Sequence, residues 1–117
     1  MSENKRTVEK YMNAFRTTDR EAILSCVTDD VEWEIPGFFK AHGRAEFNKH
    51  IVDPGFSGNP VIEVTRMTEE NDVVITEGSV LAGREDGTTI PLVFCDVFEM
   101  QNGKIRRLVS YLMETPG

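Results

Sequence analysis

A chain of 117 residues, 39% hydrophobic and 28% charged, has the composition of one globular domain, 1–117, able to bury a core without metal or disulfide staples. Its net charge of −7 argues against nucleic acid and anionic membranes as partners, and no apolar run approaches the roughly 20 residues of a membrane span. No hydrophobic signal segment follows Met1, and Cys26 and Cys95 lack metal-type spacing, so the expectation is a cytoplasmic chain with two buried free thiols and no metal or cofactor.

Val8, Tyr11, Met12 and Phe15 recur at i, i+3, i+4 and i+7, the apolar stripe of an amphipathic first helix. Thr18-Asp19-Arg20-Glu21 reads as a capping box starting a second helix, with Ala22, Ile23, Cys26 and Val27 buried and Thr28-Asp29-Asp30 ending it. Residues 31–35 alternate strictly, with Val31, Trp33 and Ile35 on one face of a strand and Glu32 and Glu34 on the other. Pro36-Gly37 stops that strand, 38–42 reads as a loop, and Gly43 to about Val52 as a third helix burying Phe47 and Ile51. Residues 53–60 carry turn chemistry and make a candidate mobile rim.

From Pro60 onward the pattern is β, with strands over 61–67, 73–81, 90–100 and 104–113. Helices followed by long strands predict an α+β fold: a strongly curved antiparallel sheet wrapped around about three N-terminal helices, with a cone-shaped hollow between them. Asn102-Gly103 is a strong hairpin signal, and two registers are open. A two-residue loop sets Asp96 beside Val109; a three-residue loop with a glycine bulge sets it near Leu108 and Ser110.

The strand before that hairpin holds the oddest feature of the chain, Asp96 between Phe94 and Phe98 on one face. An aspartate on an apolar face must find a donor, stay protonated, or reach water through a cavity. It is therefore either a structural acid, bonded to Tyr11 or a backbone amide, or a functional one. Tyr11 is likewise either a core residue or a hydrogen-bond donor to a ligand. His42, next to the third helix, is a solvated loop residue or, with its ring turned inward, a proton carrier. His50 reads as surface, and Glu77 faces either a subunit seam or the cavity.

Val8-Glu9-Lys10-Tyr11 with Phe15, Asp19-Arg20-Glu21-Ala22-Ile23, Thr28-Asp29-Asp30-Val31-Glu32-Trp33, Gly43-Arg44-Ala45-Glu46-Phe47, Asp96-Val97-Phe98 and Gly103-Lys104-Ile105 follow one another in a telling order. In these marks the chain resembles the nuclear transport factor 2-like superfamily, in its SnoaL-like and ketosteroid-isomerase-like branch. The resemblance implies a cystatin-like α+β roll. In the family's steroid isomerases a helix tyrosine and a protonated late-strand aspartic acid hold the dienolate oxygen, while a second carboxylate moves the proton. Carried over, the tyrosine falls on Tyr11 and the acid on Asp96, but the proton carrier falls on Ile35. The resemblance also turns Leu108, Ser110 and Leu112 inward. The limonene-epoxide-hydrolase branch needs an aspartate–arginine–aspartate set, and neither Arg66 nor Arg84 has a second aspartate at a recognisable place.

The reading is thus a SnoaL-like domain binding a small apolar molecule in a pocket lined by Phe15, Trp33, Ile35, Phe47, Phe94, Phe98, Leu108, Ser110 and Leu112. Asp96, Tyr11 and His42 are its candidate catalytic groups, for cofactor-free proton transfer on a ketone-bearing metabolite. The alternatives are a non-catalytic carrier or sensor, or a pure dimerisation domain. Apolar residues on both faces of the last strand suggest a homodimer through the sheet.

Overall fold

The computed structural model describes residues 2–116. Helix α1 (Glu3–Arg16) is capped by Ser2, whose Oγ accepts the Lys5 amide at 3.1 Å, and its stripe of Val8, Tyr11 and Met12 is buried. Asp19, rather than Thr18, caps α2 (Arg20–Ser25) by accepting the Ala22 amide, while Thr18 takes a positive φ of 51° in the turn before it. The second helix is shorter than expected. Val27 belongs to β1 (Val27–Ile35), where it pairs with Ile105, so a long-range backbone ladder claims residues 27–30 from the helix.

A second difference follows directly. Residues 39–42 form β2 (Phe39–His42), which folds back antiparallel on β1 after the turn at Pro36-Gly37. Phe39 and Ala41 face inward against α3 (Gly43–Lys49), whereas Lys40 and His42 face outward. The alternation was already in the sequence, hidden by its brevity. Helix α3 stops three residues before Val52, which makes His50 its C-cap.

The remaining strands are β3 (Val61–Glu70), β4 (Val73–Gly83), β5 (Thr89–Gln101) and β6 (Lys104–Glu114). The six pair in the order β2-β1-β6-β5-β4-β3. The sheet is mixed rather than antiparallel throughout, because β1 runs parallel to β6. It curves without closing, and the helices fill its concave side, as the cone-shaped α+β reading requires.

Besides an irregular stretch of β1 between Val27 and Glu32, two one-residue bulges shape the curve. In the β5–β6 hairpin Asn102 and Gly103 take φ of 51° and 75°, the left-handed pair of a two-residue turn. Gln101 faces Lys104 and Met100 faces Ile105, but Glu99 then faces Arg107, leaving Arg106 as an extra residue. The loop is therefore the short one, and the bulge sits inside β6. It brings Asp96 opposite Ser110 and lets Ile105 and Leu108, three apart, both point into the core. Glu99 pins it, accepting from Arg106 at 2.6 Å and from Arg107 at 2.5 Å. The other bulge, at Thr65, bends β3 over Gly78.

The rim, 53–60, is tied down rather than loose. Ser57 donates its amide to Gly83 O at 3.0 Å, Gly55 O accepts the Glu85 amide at 3.0 Å, and Phe56 bridges Arg84. Both cysteines are free, Cys26 buried and Cys95 half-buried. Among the described residues no helix is long and apolar enough to cross a membrane.

Candidate functional site

Between α1, the rim and the concave sheet lies a cavity of about 240 Å³. Its floor is the inward face of β4, β5 and β6, where Asp96 and Ser110 stand side by side as cross-strand partners, with Thr76, the β4 partner of Asp96, buried next to them outside the lining. All three are buried polar side chains among mostly apolar neighbours. Phe94 and Leu112 flank them along the cone, and Tyr11, Phe15, Trp33 and Ile35 complete the wall from α1 and β1.

Asp96 is 8% exposed, and burial pushes its carboxyl from the ordinary 3.8 up to about 7, against a hydrogen bond from Ser110 that favours the charged form. Ser110 is held in turn by Trp33, whose Nε1–H donates to its Oγ at 3.2 Å. Thr76 Oγ1, beside Asp96, is buried without a hydrogen-bond partner. The Tyr11 hydroxyl has no partner among the described residues, and burial first, then the Asp96 charge, raises its pKa well above 10.0. Tyr11 therefore stays protonated, while Asp96 is poised between its two forms at neutral pH. Tyr11 and the neutral form of Asp96 are thus two donors lining the same cavity, with no hydrogen bond between them.

An aromatic framework fixes this geometry. The Tyr11 ring lies 5.0 Å from Phe15 and 5.5 Å from Phe98, and Trp33 lies 4.5 Å from Phe47 and 5.1 Å from Phe39. Such pairs add roughly 0.5–1.5 kcal/mol each beyond their buried area.

Four residues expected at the site lie elsewhere. Phe47, Phe98 and Leu108 are fully buried behind the wall, packed where α1 and α3 fill the narrow end of the cone. His42 points outward from β2, its side chain 71% exposed and its Nδ1 3.6 Å from Glu32 Oε1. Strand alternation turns its ring away from the buried side that Ala41 faces, and it does not line the cavity, so it is not positioned as a proton carrier.

His50 is the residue that sequence reading set aside. It lines the cavity together with Asp53, its Nδ1 lies 2.8 Å from Asp53 Oδ1, and its ring stacks on Phe39 at 3.8 Å and 9°. The i, i+3 spacing of His50 and Asp53 was visible; the early end of α3 that turns both inward was not. Glu77 lies on the outer face of the sheet, 3.5 Å from Arg66. No arginine lines the cavity among the described residues, and none of their His, Cys, Asp and Glu side chains gather into a metal-holding group.

The fold has clear counterparts. TerC, solved with polyporic acid, is 27% identical, with a TM-score of 0.83 over 93% of this chain and 90% of that one. A nuclear transport factor 2-like protein from Burkholderia pseudomallei superposes with a TM-score of 0.88 at 20% identity, covering 97% of this chain and 92% of the other. A ketosteroid isomerase-like structure from Kribbella flavida gives 0.77 at 20% identity, over 98% and 81% of the two chains. No curated protein sequence matches the chain. The family model of the SnoaL-like domain matches residues 8–108. The chain belongs to the SnoaL-like family, within the nuclear transport factor 2-like fold that also carries ketosteroid isomerase-like and polyketide cyclase proteins.

Proposed function

We propose that the cavity binds a small, mostly apolar ketone and that Asp96 and Tyr11 hold its oxygen, supporting cofactor-free proton transfer of the isomerase or cyclase kind. The observation that carries this reading is a pair of donors, Asp96 on the floor and Tyr11 on the α1 wall, in one mostly apolar cavity. Charge that develops on a carbonyl oxygen during enolisation is stabilised by donors already in place, more strongly where they are buried, as Asp96 and Tyr11 are. The neutral form of Asp96 donates, and burial keeps that form populated up to about pH 7. A cavity of about 240 Å³ sits just below the usual range of about 300–1,000 Å³ for drug-sized ligands, which favours a one- or two-ring molecule over a four-ring steroid. The co-crystal of TerC with polyporic acid supports a small organic ligand.

The single tryptophan, Trp33, lines the cavity and reports on occupancy through its fluorescence. Titration with 2-tetralone, a two-ring ketone, is expected to quench it saturably. Tyr11→Phe and Asp96→Leu are each expected to weaken binding about fivefold, the worth of one hydrogen bond near 1 kcal/mol. Unchanged affinity in both variants would remove the oxygen-holding role. A carrier, the second reading, binds the ketone without exchanging its protons.

We also infer a homodimer through the outer face of the sheet, where Val93, Tyr111 and Met113 are exposed side by side on β5 and β6. The free thiols of Cys26 and Cys95 fit a reducing cytoplasm.

A further inference from the structure

Of the candidate oxygen-holding groups Asp96 lies on the floor and Tyr11 on the α1 wall, and the cavity contains one further acid–base pair. His50 and Asp53 face it from the short segment between α3 and the rim. The Nδ1 of His50 is 2.8 Å from Asp53 Oδ1, a distance that fixes the proton on Nδ1 and leaves the Nε2 lone pair free. The imidazole cannot swing, because it lies flat on the Phe39 ring at 3.8 Å, and Phe39 is itself locked edge-on to Trp33 at 5.1 Å. A base oriented by a carboxylate, lining the same cavity as donors that can stabilise developing negative charge, supplies the groups proton abstraction requires. Both side chains are about one-third exposed, which gives the base a route to solvent for proton exchange.

We propose that His50 is the proton carrier of this cavity and that Asp53 is its positioning residue. The inference rests on the reading of Asp96 and Tyr11 as the oxygen-holding pair. In the step, Nε2 takes a proton from the carbon next to the ketone carbonyl. The C–H electron pair becomes the enolate double bond, and the carbonyl π pair moves to the oxygen held by Tyr11 and Asp96. The imidazolium, stabilised by the Asp53 carboxylate, returns a proton to carbon, so no oxidant or cofactor is needed. With a substrate that offers two carbon positions the return can go to the second, giving an isomer. With a symmetric return the visible result is exchange with solvent.

The test follows the α-protons of 2-tetralone in D₂O by proton NMR, beside its affinity read through Trp33. Wild-type protein is expected to speed exchange well above the buffer rate. His50→Gln, which keeps shape and polarity, is expected to slow it at least about 100-fold with affinity kept. Asp53→Asn should give a smaller loss. It should also free the tautomer: the ring-nitrogen ¹⁵N shifts of His50 should report Nδ1–H in wild type and a mixture in Asp53→Asn, a signature that a capping role alone would not move. Exchange that survives His50→Gln overturns the assignment while leaving the oxygen-holding pair standing. Saturable binding without wild-type exchange does the same and leaves a carrier. Absence of binding sinks the pocket reading, and the proton carrier with it.

Discussion

At the residue scale the chemistry turns on one carboxyl. In the folded chain Asp96 titrates at about 7, whereas an unfolded aspartate titrates near 3.8. Between those values the native state holds a proton that the unfolded state has released, so stability falls as pH rises through the window and levels off above it. Each unit crossed costs up to about 1.4 kcal/mol, which makes the loss between pH 5 and pH 8 about 2–3 kcal/mol. Asp96→Asn removes this titration. Urea unfolding at both pH values should show the variant gaining on wild type by that margin at pH 8; parallel curves would mean the carboxyl reaches water. The sequence announced Asp96 because its apolar flanks are local. It also gave the inward course of Ser110, through the resemblance. It could not give Thr76, whose place beside Asp96 depends on β4–β5 register, nor the inward turn of His50, which depends on where α3 ends.

At the element scale the two bulges decide which faces meet the cavity. Most element positions were legible, because periods of 3.6 and 2 are written into the apolar residues of α1, β1 and β5. The bulge at Arg106 was not, since an extra residue in a strand leaves no period of its own; only the buried Ile105–Leu108 spacing hints at it. Its clamp is testable. Glu99→Gln weakens two half-exposed ion pairs, and at low salt it should cost about 1 kcal/mol, shrinking in 1 M NaCl where such pairs are screened. An equal loss at both salt concentrations would indicate packing rather than charge. The bend at Gly78 is stricter. A Cβ there would lie 2.0 Å from Glu63 O and 3.0 Å from the Phe94 ring. Backbone cannot step aside as a side chain can, so Gly78→Ala should destabilise the domain by about 3 kcal/mol or more, read as a lower urea midpoint.

At the scale of the whole molecule the question is what covers the outer face of the sheet. Tyr111 and Met113 are 53% and 68% exposed, next to Val93 at 41%, on strands whose other face already carries the cavity. A self-complementary patch related by a twofold axis covers the same side chains on both copies at once. Opposing this is the net charge of −7 on each copy, with Glu77 bordering the patch. The proposed dimer would carry a recognisable signature: apolar contact would hold the pair together while repulsion opposed it, so added salt should tighten it. Sedimentation velocity should therefore show a dimer whose dissociation constant falls between about 20 and about 300 mM NaCl, as the Debye length shrinks from about 20 to about 6 Å. Tyr111→Glu should give a monomer with unchanged far-UV circular dichroism, because the side chain is already half in water and the core does not depend on it. A wild-type monomer at high concentration would leave the patch to another partner. Because β5 and β6 carry the cavity floor on one face and this seam on the other, the same variant also measures coupling between them: if 2-tetralone affinity in Tyr111→Glu stays at the wild-type value, each cone is a self-sufficient site.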